Sequence, residues 1–349
     1  MKKIAIVLFN LGGPDQPSAV RPFLYNLFSD PAIIGLSTPW RQILAVFIAW
    51  RRNKVAQAIY AKIGGKSPIL ENTQAQAKAL EKTLKGNADK ETRCFVSMRY
   101  WHPLDGEAVK QVKAFAPDEI VLLPLYPQFS TTTTASSLKS WHQSAEAVGL
   151  QVPTKTICCY PQESGFIQTM ALSVSVVYQQ LQHKAGKPPR VLFSAHGLPE
   201  KIIKAGDPYQ WQCERTAEAL VQALNIAQLD WVSCYQSRVG PLSWIGPSTT
   251  QEIRRAARDQ VSLVIVPIAF VSEHSETLVE IDIEYRHMAA QCGVPNFAYV
   301  PTVGTTPAFI EGLADLVHKA LDGREACIST LGPSFCSPTL KGCCQRRDI

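Results

Sequence analysis

The chain has 349 residues, 46% of them hydrophobic, and 35 basic against 29 acidic residues give a formal charge of +6. That is enough apolar material for one large or two medium cores, and a mild basic excess without long Lys/Arg runs excludes a nucleic-acid-binding arm. Apart from the N-terminal segment, the longest apolar run, Ile43 to Trp50, falls far short of the roughly 20 residues of a membrane span, so no transmembrane helix is expected.

The N-terminal MKKIAIVLFNLGGPD carries the two lysines of a secretory signal, but its short apolar run ends in Gly-Gly-Pro-Asp rather than a small-residue cleavage site. It reads as a first strand, and the expected location is the cytoplasm. The ten cysteines of such a chain are expected to be mostly reduced. Residues 30–65 follow and hold IIGLSTPWRQILAVFIAWRRNKV, too apolar for a solvated loop and too short for a span. One reading is an ordinary core helix. The other is a lip or amphipathic helix at a pocket mouth or membrane surface, favoured by Arg51 and Arg52 directly after Trp50.

Short β-branched runs then recur between helical stretches: IAIVLF, CFVSM, EIVLLPLY, RVLFSAH, WVSCYQ and SLVIVPIAF. Their order repeats. VLFNLGGP at 7–14 resembles VLFSAHGLP at 191–199, FVSMRY at 95–100 resembles WVSCYQ at 231–236, and VLLPLYPQFSTTT at 121–133 resembles VIVPIAFVSEHSET at 264–277. The predicted fold is α/β: two similar Rossmann-like halves, each a parallel sheet flanked by helices, with the active site in the cleft between them. Residues 1–150 form the N-terminal half with its apolar insertion, 151–320 the C-terminal half, and 321–349 a Cys-rich tail.

Ligands of open α/β sheets sit beyond the carboxyl ends of strands. After the first strand, Gly12 and Gly13 allow close backbone approach, but the segment lacks both a full G-x-G-x-x-G and the Lys-Ser/Thr of a P-loop, which disfavours a nucleotide-dependent enzyme. YPQFSTTTTASSL supplies more hydroxyls than helix capping needs. His196 stands at the corresponding end in the second half, either a packed core histidine or one aimed at a ligand. In AFVSEHSETLVEIDIEY an α-helix is expected, capped by Ser272, with Glu273, Glu276, Glu280 and Glu284 in one row. Leu278, Ile281 and Tyr285 lie opposite this row, and Val279 with Ile283 flanks it. Crowded, partly desolvated carboxylates are expected to titrate high and to pass on protons or divalent cations.

At these residues the sequence resembles the ferrochelatases, lyases that insert ferrous iron into a porphyrin. The likeness runs from NLGGPD to about Val317, and its most specific pieces are SMRYWHP, SAHGLP with GDPY, QSRVGPLSWIGP and VSEHSETLVEIDIEY. It implies Fe2+ and protoporphyrin IX as substrates, and protohaem with two released protons as products. His196 and Glu276 are implied as the catalytic and metal-contacting pair, facing each other across the ring, with Glu280, Glu284 and His274 as a proton or metal relay. Tyr60, Ser67, Arg99, Tyr100 and Trp244 match pocket positions, and Leu11, Arg51 and Arg52 lie near the porphyrin's edge or propionates. Residues 33–52 match the family's lip, implying peripheral contact with the inner membrane surface.

Some ferrochelatases also carry a 2Fe-2S cluster held by C-terminal cysteines and one internal cysteine. Here Cys336, Cys343 and Cys344 read C-x6-C-C, and Cys158 or its neighbour Cys159 stands near the position of the internal ligand, which is Thr169 in this chain. Reduced thiols are the other reading. The alternative functions are a chelatase for another tetrapyrrole, such as coproporphyrin, or for another metal, and a non-catalytic haem or metal carrier.

Overall fold

A computed structural model describes residues 1–85, 90–185, 187–330, 336, 340 and 342. The tail cysteines Cys343 and Cys344 lie outside the described residues.

The strands are β1 (Lys2–Asn10), β2 (Lys90–Met98), β3 (Glu119–Pro124), β4 (Thr154–Cys159), β5 (Arg190–His196), β6 (Trp231–Gln236), β7 (Leu263–Pro267), β8 (Phe297–Tyr299) and β9 (Cys327–Ser329). They form two sheets, ordered β2-β1-β3-β4-β9 and β6-β5-β7-β8, with every pairing parallel. The first four strands of one sheet and all four of the other thus follow the same order, the architectural counterpart of the sequence repeat.

Each sheet is buried on both faces, which is why the strands read as apolar runs. Along β1, Ile4, Ile6 and Leu8 face a core shared between the sheets, which also takes Val191 and Phe193 of β5 and the helices Ser164–Ala185, Tyr209–Leu224 and Pro307–Asp322. Ala5, Val7 and Phe9 face outward, under the helices Asp105–Phe115 and Thr134–Ala147. On the far side of the second sheet, Leu192 packs with the helix Thr249–Asp259, which opens on a reciprocal Ser248–Gln251 capping box.

Residues past 150 still belong to the first sheet: β4 is its fourth strand, and the helix Ser164–Ala185 makes the passage to β5. After β8 the chain returns. The helix Pro307–Asp322 packs on the helices Ile69–Leu84 and Ser164–Ala185, and β9 adds an edge strand to the first sheet.

The insertion between β1 and β2 forms the helix Trp40–Ala61. Trp40, Ile43, Val46, Phe47, Trp50 and Val55 are exposed along it, Trp40 by 66% and Trp50 by 63%. An ordinary core helix would bury this stripe. Among the described residues, no helix is long and apolar enough to cross a membrane.

Candidate active site

β5 delivers His196 to its carboxyl end, level with Gln236 at the end of β6. Gly197 comes next, where an added Cβ would stand 2.8 Å from the Gln236 carbonyl oxygen and 3.3 Å from the Trp244 ring. Only a glycine lets Trp244 close over the strand end in this way. Its counterpart in the first half is Gly13, where a Cβ would lie 2.6 Å from Ser67 Oγ. The two strand ends use the same device, one to seat a pocket wall and the other to seat the chain returning from the insertion.

His196 Nδ1 lies 2.8 Å from Glu276 Oε2. The two groups are joined directly. Their side chains retain 38% and 25% exposure, so the pair is packed on one side and open on the other. Burial alone disfavours charge on either group, but each is the other's counter-ion. Their attraction overrides burial, raising the His196 pKa and carrying the Glu276 carboxyl down to about 2. The expectation that crowding raises the carboxylates thus fails at Glu276, because a histidine sits closer to it than any like charge.

His274 completes this corner, with Nε2 4.0 Å from Glu276 Oε2 and its ring tilted at 54° against that of Phe270. Burial pushes its pKa down, and its Nδ1 has no hydrogen-bond partner among the described residues.

The acidic segment Glu276–Tyr285 is a π-helix, not the expected α-helix, and α-helical turns resume at Arg286. Its i→i+5 bonds widen each turn, so residues four apart step around the axis rather than stacking, and such segments concentrate at functional sites. Glu273 falls outside the helix altogether. Its carboxylate accepts from the Tyr299 hydroxyl at 2.7 Å, from the Thr302 N–H at 2.8 Å and from Thr277, so it belongs to the frame rather than the row. Ser272 does not cap the helix either: its hydroxyl donates to Gln76 Oε1 at 2.8 Å, across the junction of the halves.

The remaining carboxylates differ in their surroundings. Glu280 accepts from the Ser237 N–H (2.8 Å), Ser237 Oγ (2.5 Å), Gln236 Nε2 (3.3 Å) and the Tyr285 hydroxyl (2.7 Å). It anchors the start of the loop that carries Trp244, where Ser237 adopts a left-handed φ of 62°. Glu284 is exposed and pairs with Lys62 Nζ at 2.9 Å.

The other expected pocket residues do not form one open wall. Tyr60 is buried at the end of the helix Trp40–Ala61, where burial, offset in part by a Ser275 hydrogen bond and reinforced by the nearby Glu276 charge, raises its pKa to about 12. Tyr100 is 1% exposed, and its hydroxyl donates to Asp30 Oδ2 at 2.9 Å. Arg99 donates to the same Asp30 oxygen and to Ser136 Oγ, each at 2.8 Å. Ser67 is buried behind Gly13, Leu11 packs beside the Tyr60–Tyr100 cluster, and Arg51 and Arg52 lie exposed, with Arg52 over the Phe28 ring.

Sequence reasoning missed Asp30, Ser237 and Lys62. Ser237 lies inside the quoted QSRVGPLSWIGP, whereas Asp30 and Lys62 are single charges whose partners lie far away along the chain.

At the far side of the first sheet, Cys158, Cys159 and Cys336 share a buried patch with Phe129. Gln212 Nε2 donates to the sulfurs of Cys159 and Cys336, at 3.4 and 3.3 Å. Cys158 is disulfide-bonded.

A family model described as Ferrochelatase matches residues 3–321. The ferrochelatase of Caulobacter vibrioides is 53% identical over 332 residues, covering 94% of this chain and 93% of that protein. The ferrochelatase of Phenylobacterium zucineum is 52% identical over 349 residues, covering 99% and 98%. Among solved structures, the cobalt complex of the sirohydrochlorin chelatase SirB from Bacillus subtilis subspecies spizizenii superposes with a TM-score of 0.51 at 11% identity, covering 92% of this chain and 95% of that one, a likeness of fold.

Proposed function

The chain belongs to the ferrochelatase family and inserts ferrous iron into a porphyrin in haem biosynthesis, and on that premise we propose that His196 and Glu276 act as one proton-accepting unit. The ring proposed is protoporphyrin IX. Insertion exchanges two pyrrole protons for one Fe2+, so the site must accept protons while a cation arrives. The neutral form of His196, with its Nδ1–H held by Glu276, accepts a pyrrole proton at Nε2, and the imidazolium that forms is stabilised by the carboxylate already in contact with it. Glu280 and Glu284 extend the acidic segment outward as the route by which protons leave or iron arrives, with His274 packed against its inner end. Trp244 forms part of the wall that holds the ring.

The observation that carries this reading is the 2.8 Å bond between two groups whose affinities for protons are driven in opposite directions. Anaerobic Fe2+ insertion into protoporphyrin IX, followed by the visible spectrum, tests it. His196→Ala and Glu276→Gln, both still folded, are expected to lose about a hundredfold or more in kcat/KM. Variants within threefold of the native protein sink the assignment, and coproporphyrin turned over tenfold faster sinks the choice of ring.

The exposed stripe of Trp40, Ile43, Phe47 and Trp50, with Arg51 and Arg52 beside it, supports docking of the lip on a membrane surface, from which a poorly soluble ring enters. Cys158 and Cys336 in one buried, thiol-rich patch suit two of the four thiolates of a 2Fe-2S cluster, with Cys343 and Cys344 as the remaining ligands. Such a cluster supplies one-electron chemistry, and no step of insertion needs it. A disulfide at Cys158 and a cluster are alternative states of the same sulfur. The visible absorption, iron content and sulfide content of anaerobically purified protein, native and Cys336→Ser, decide between them.

A further inference from the structure

Each end of the acidic segment is capped by a cation from elsewhere in the fold. Glu276 has His196, Glu284 has Lys62, and Glu280 between them is held by neutral donors and has no ion-pair partner among the described residues. The two caps differ in kind. The inner one is a histidine, which loses its charge near neutral pH, whereas the outer one is a lysine, which does not.

The outer cap also comes from the other half of the molecule. Lys62 directly follows the helix Trp40–Ala61, two residues beyond Tyr60, which is buried beside Ser275 and Glu276. Gly64 and Gly65 follow with left-handed φ values of 86° and 83°, so the chain turns sharply away once Lys62 has been placed. Among the described residues, Lys62–Glu284 is the ion pair that crosses between the halves. The end of the lip helix therefore touches both ends of the acidic segment, through Tyr60 within and Lys62 outside.

We propose that Lys62 is a specificity-determining gate for the metal: its ammonium occupies Glu284 until a divalent cation displaces it, so it sets the metal concentration at which loading begins. The proposal rests on the reading of Glu276, Glu280 and Glu284 as the metal's route. An exposed pair of this kind binds weakly, about fivefold at most in equilibrium terms, so a divalent ion can open it. A monovalent ion, with half the charge, competes less well.

Two measurements test the proposal: steady-state KM for Fe2+ and for porphyrin under anaerobic conditions, and titration of Co2+ into the protein without porphyrin. Lys62→Met is expected to lower the metal KM and tighten Co2+ binding by about three- to fivefold, with the porphyrin KM unchanged. Lys62→Glu, which adds a carboxylate at the same place, is expected to go further in the same direction. Lys62→Arg, which restores the charge, is expected to stay within twofold of native. A metal KM unchanged across the series overturns the gate. A rise in porphyrin KM instead overturns it in favour of a propionate contact. Glu284→Gln separates the two levels of the argument. If it weakens Co2+ binding while the Lys62 series does nothing, the gate fails and the route stands. If neither responds, both fail.

Discussion

The two halves share a sheet order and a glycine-seated strand end, yet they use charge in opposite ways. In the first half, Asp30 is buried among fixed partners, accepting from Arg99, Tyr100 and Ser136, and neither arginine nor tyrosine releases a proton near neutral pH. In the second half, Glu276 is held by a histidine, and both side chains stay partly exposed. The first arrangement is saturated and the second is poised. The repeated fold thus carries a carboxylate held by fixed partners in one half and one held by a titratable partner in the other, and the choice of cationic partner, Arg or His, marks the division.

Breaking the saturated network should cost most. Asp30→Asn leaves Arg99 without its counter-charge, and denaturant unfolding should show a loss of about 3–5 kcal/mol. The open His196–Glu276 pair predicts a much smaller loss in Glu276→Gln, and equal losses would erase the distinction between the halves.

The glycine device comes next. Gly197→Ala forces a methyl against the Gln236 carbonyl and Trp244, and Gly13→Ala forces one against Ser67. Each should cost about 1–3 kcal/mol in the same unfolding assay. Only Gly197→Ala should also lower kcat/KM, because only it displaces a wall beside His196.

The pH response sharpens the comparison further. Glu276 titrates below its ordinary value of 4.5, so its share of stability is present above that value and is lost as pH falls toward about 2. His196 titrates above its ordinary 6.5, so its share is present below 6.5 and is lost as pH rises through the raised value. The pair stabilises the fold fully between about pH 4.5 and 6.5, whereas proton acceptance needs the neutral imidazole and should increase above that window. The pH profile of kcat/KM should show a limb above 6.5. NMR titration of His196 in Glu276→Gln should find its pKa below the native one, since burial is then opposed by the Glu280 charge without the Glu276 contact.

The smallest effect on stability is expected at the lip. Trp40→Ser combined with Trp50→Ser removes exposed surface and should change unfolding free energy by no more than about 0.5 kcal/mol per site. Co-sedimentation with anionic vesicles should nonetheless fall severalfold.

Much of this was legible in the sequence, because buried parallel strands write themselves as apolar runs and the repeat preserved their order. His196 was legible by position, at the end of such a run. The π-helix was not. Carboxylates at 276, 280 and 284 fit an α-helical row equally well, and nothing in their spacing reports that the hydrogen bonds run to the fifth residue. Glu273 looked like a member of that row, and its removal depends on Tyr299 and Thr302, which lie in another element. Lys62 and Asp30 escaped for the same reason: each matters through a partner that only the folded chain brings near. The short strands β4, β8 and β9 were missed because few residues and partial burial leave little apolar signal.

The return of the chain to the first sheet sets an order of completion during synthesis. Every strand of the second sheet lies between residues 190 and 299, whereas the first sheet waits for β9 at 327–329. In a chain made from its N-terminus, the half that carries His196 therefore has all its strands before the other half has all of its own. A product truncated before residue 327 has all the strands of the second sheet but lacks the edge strand of the first.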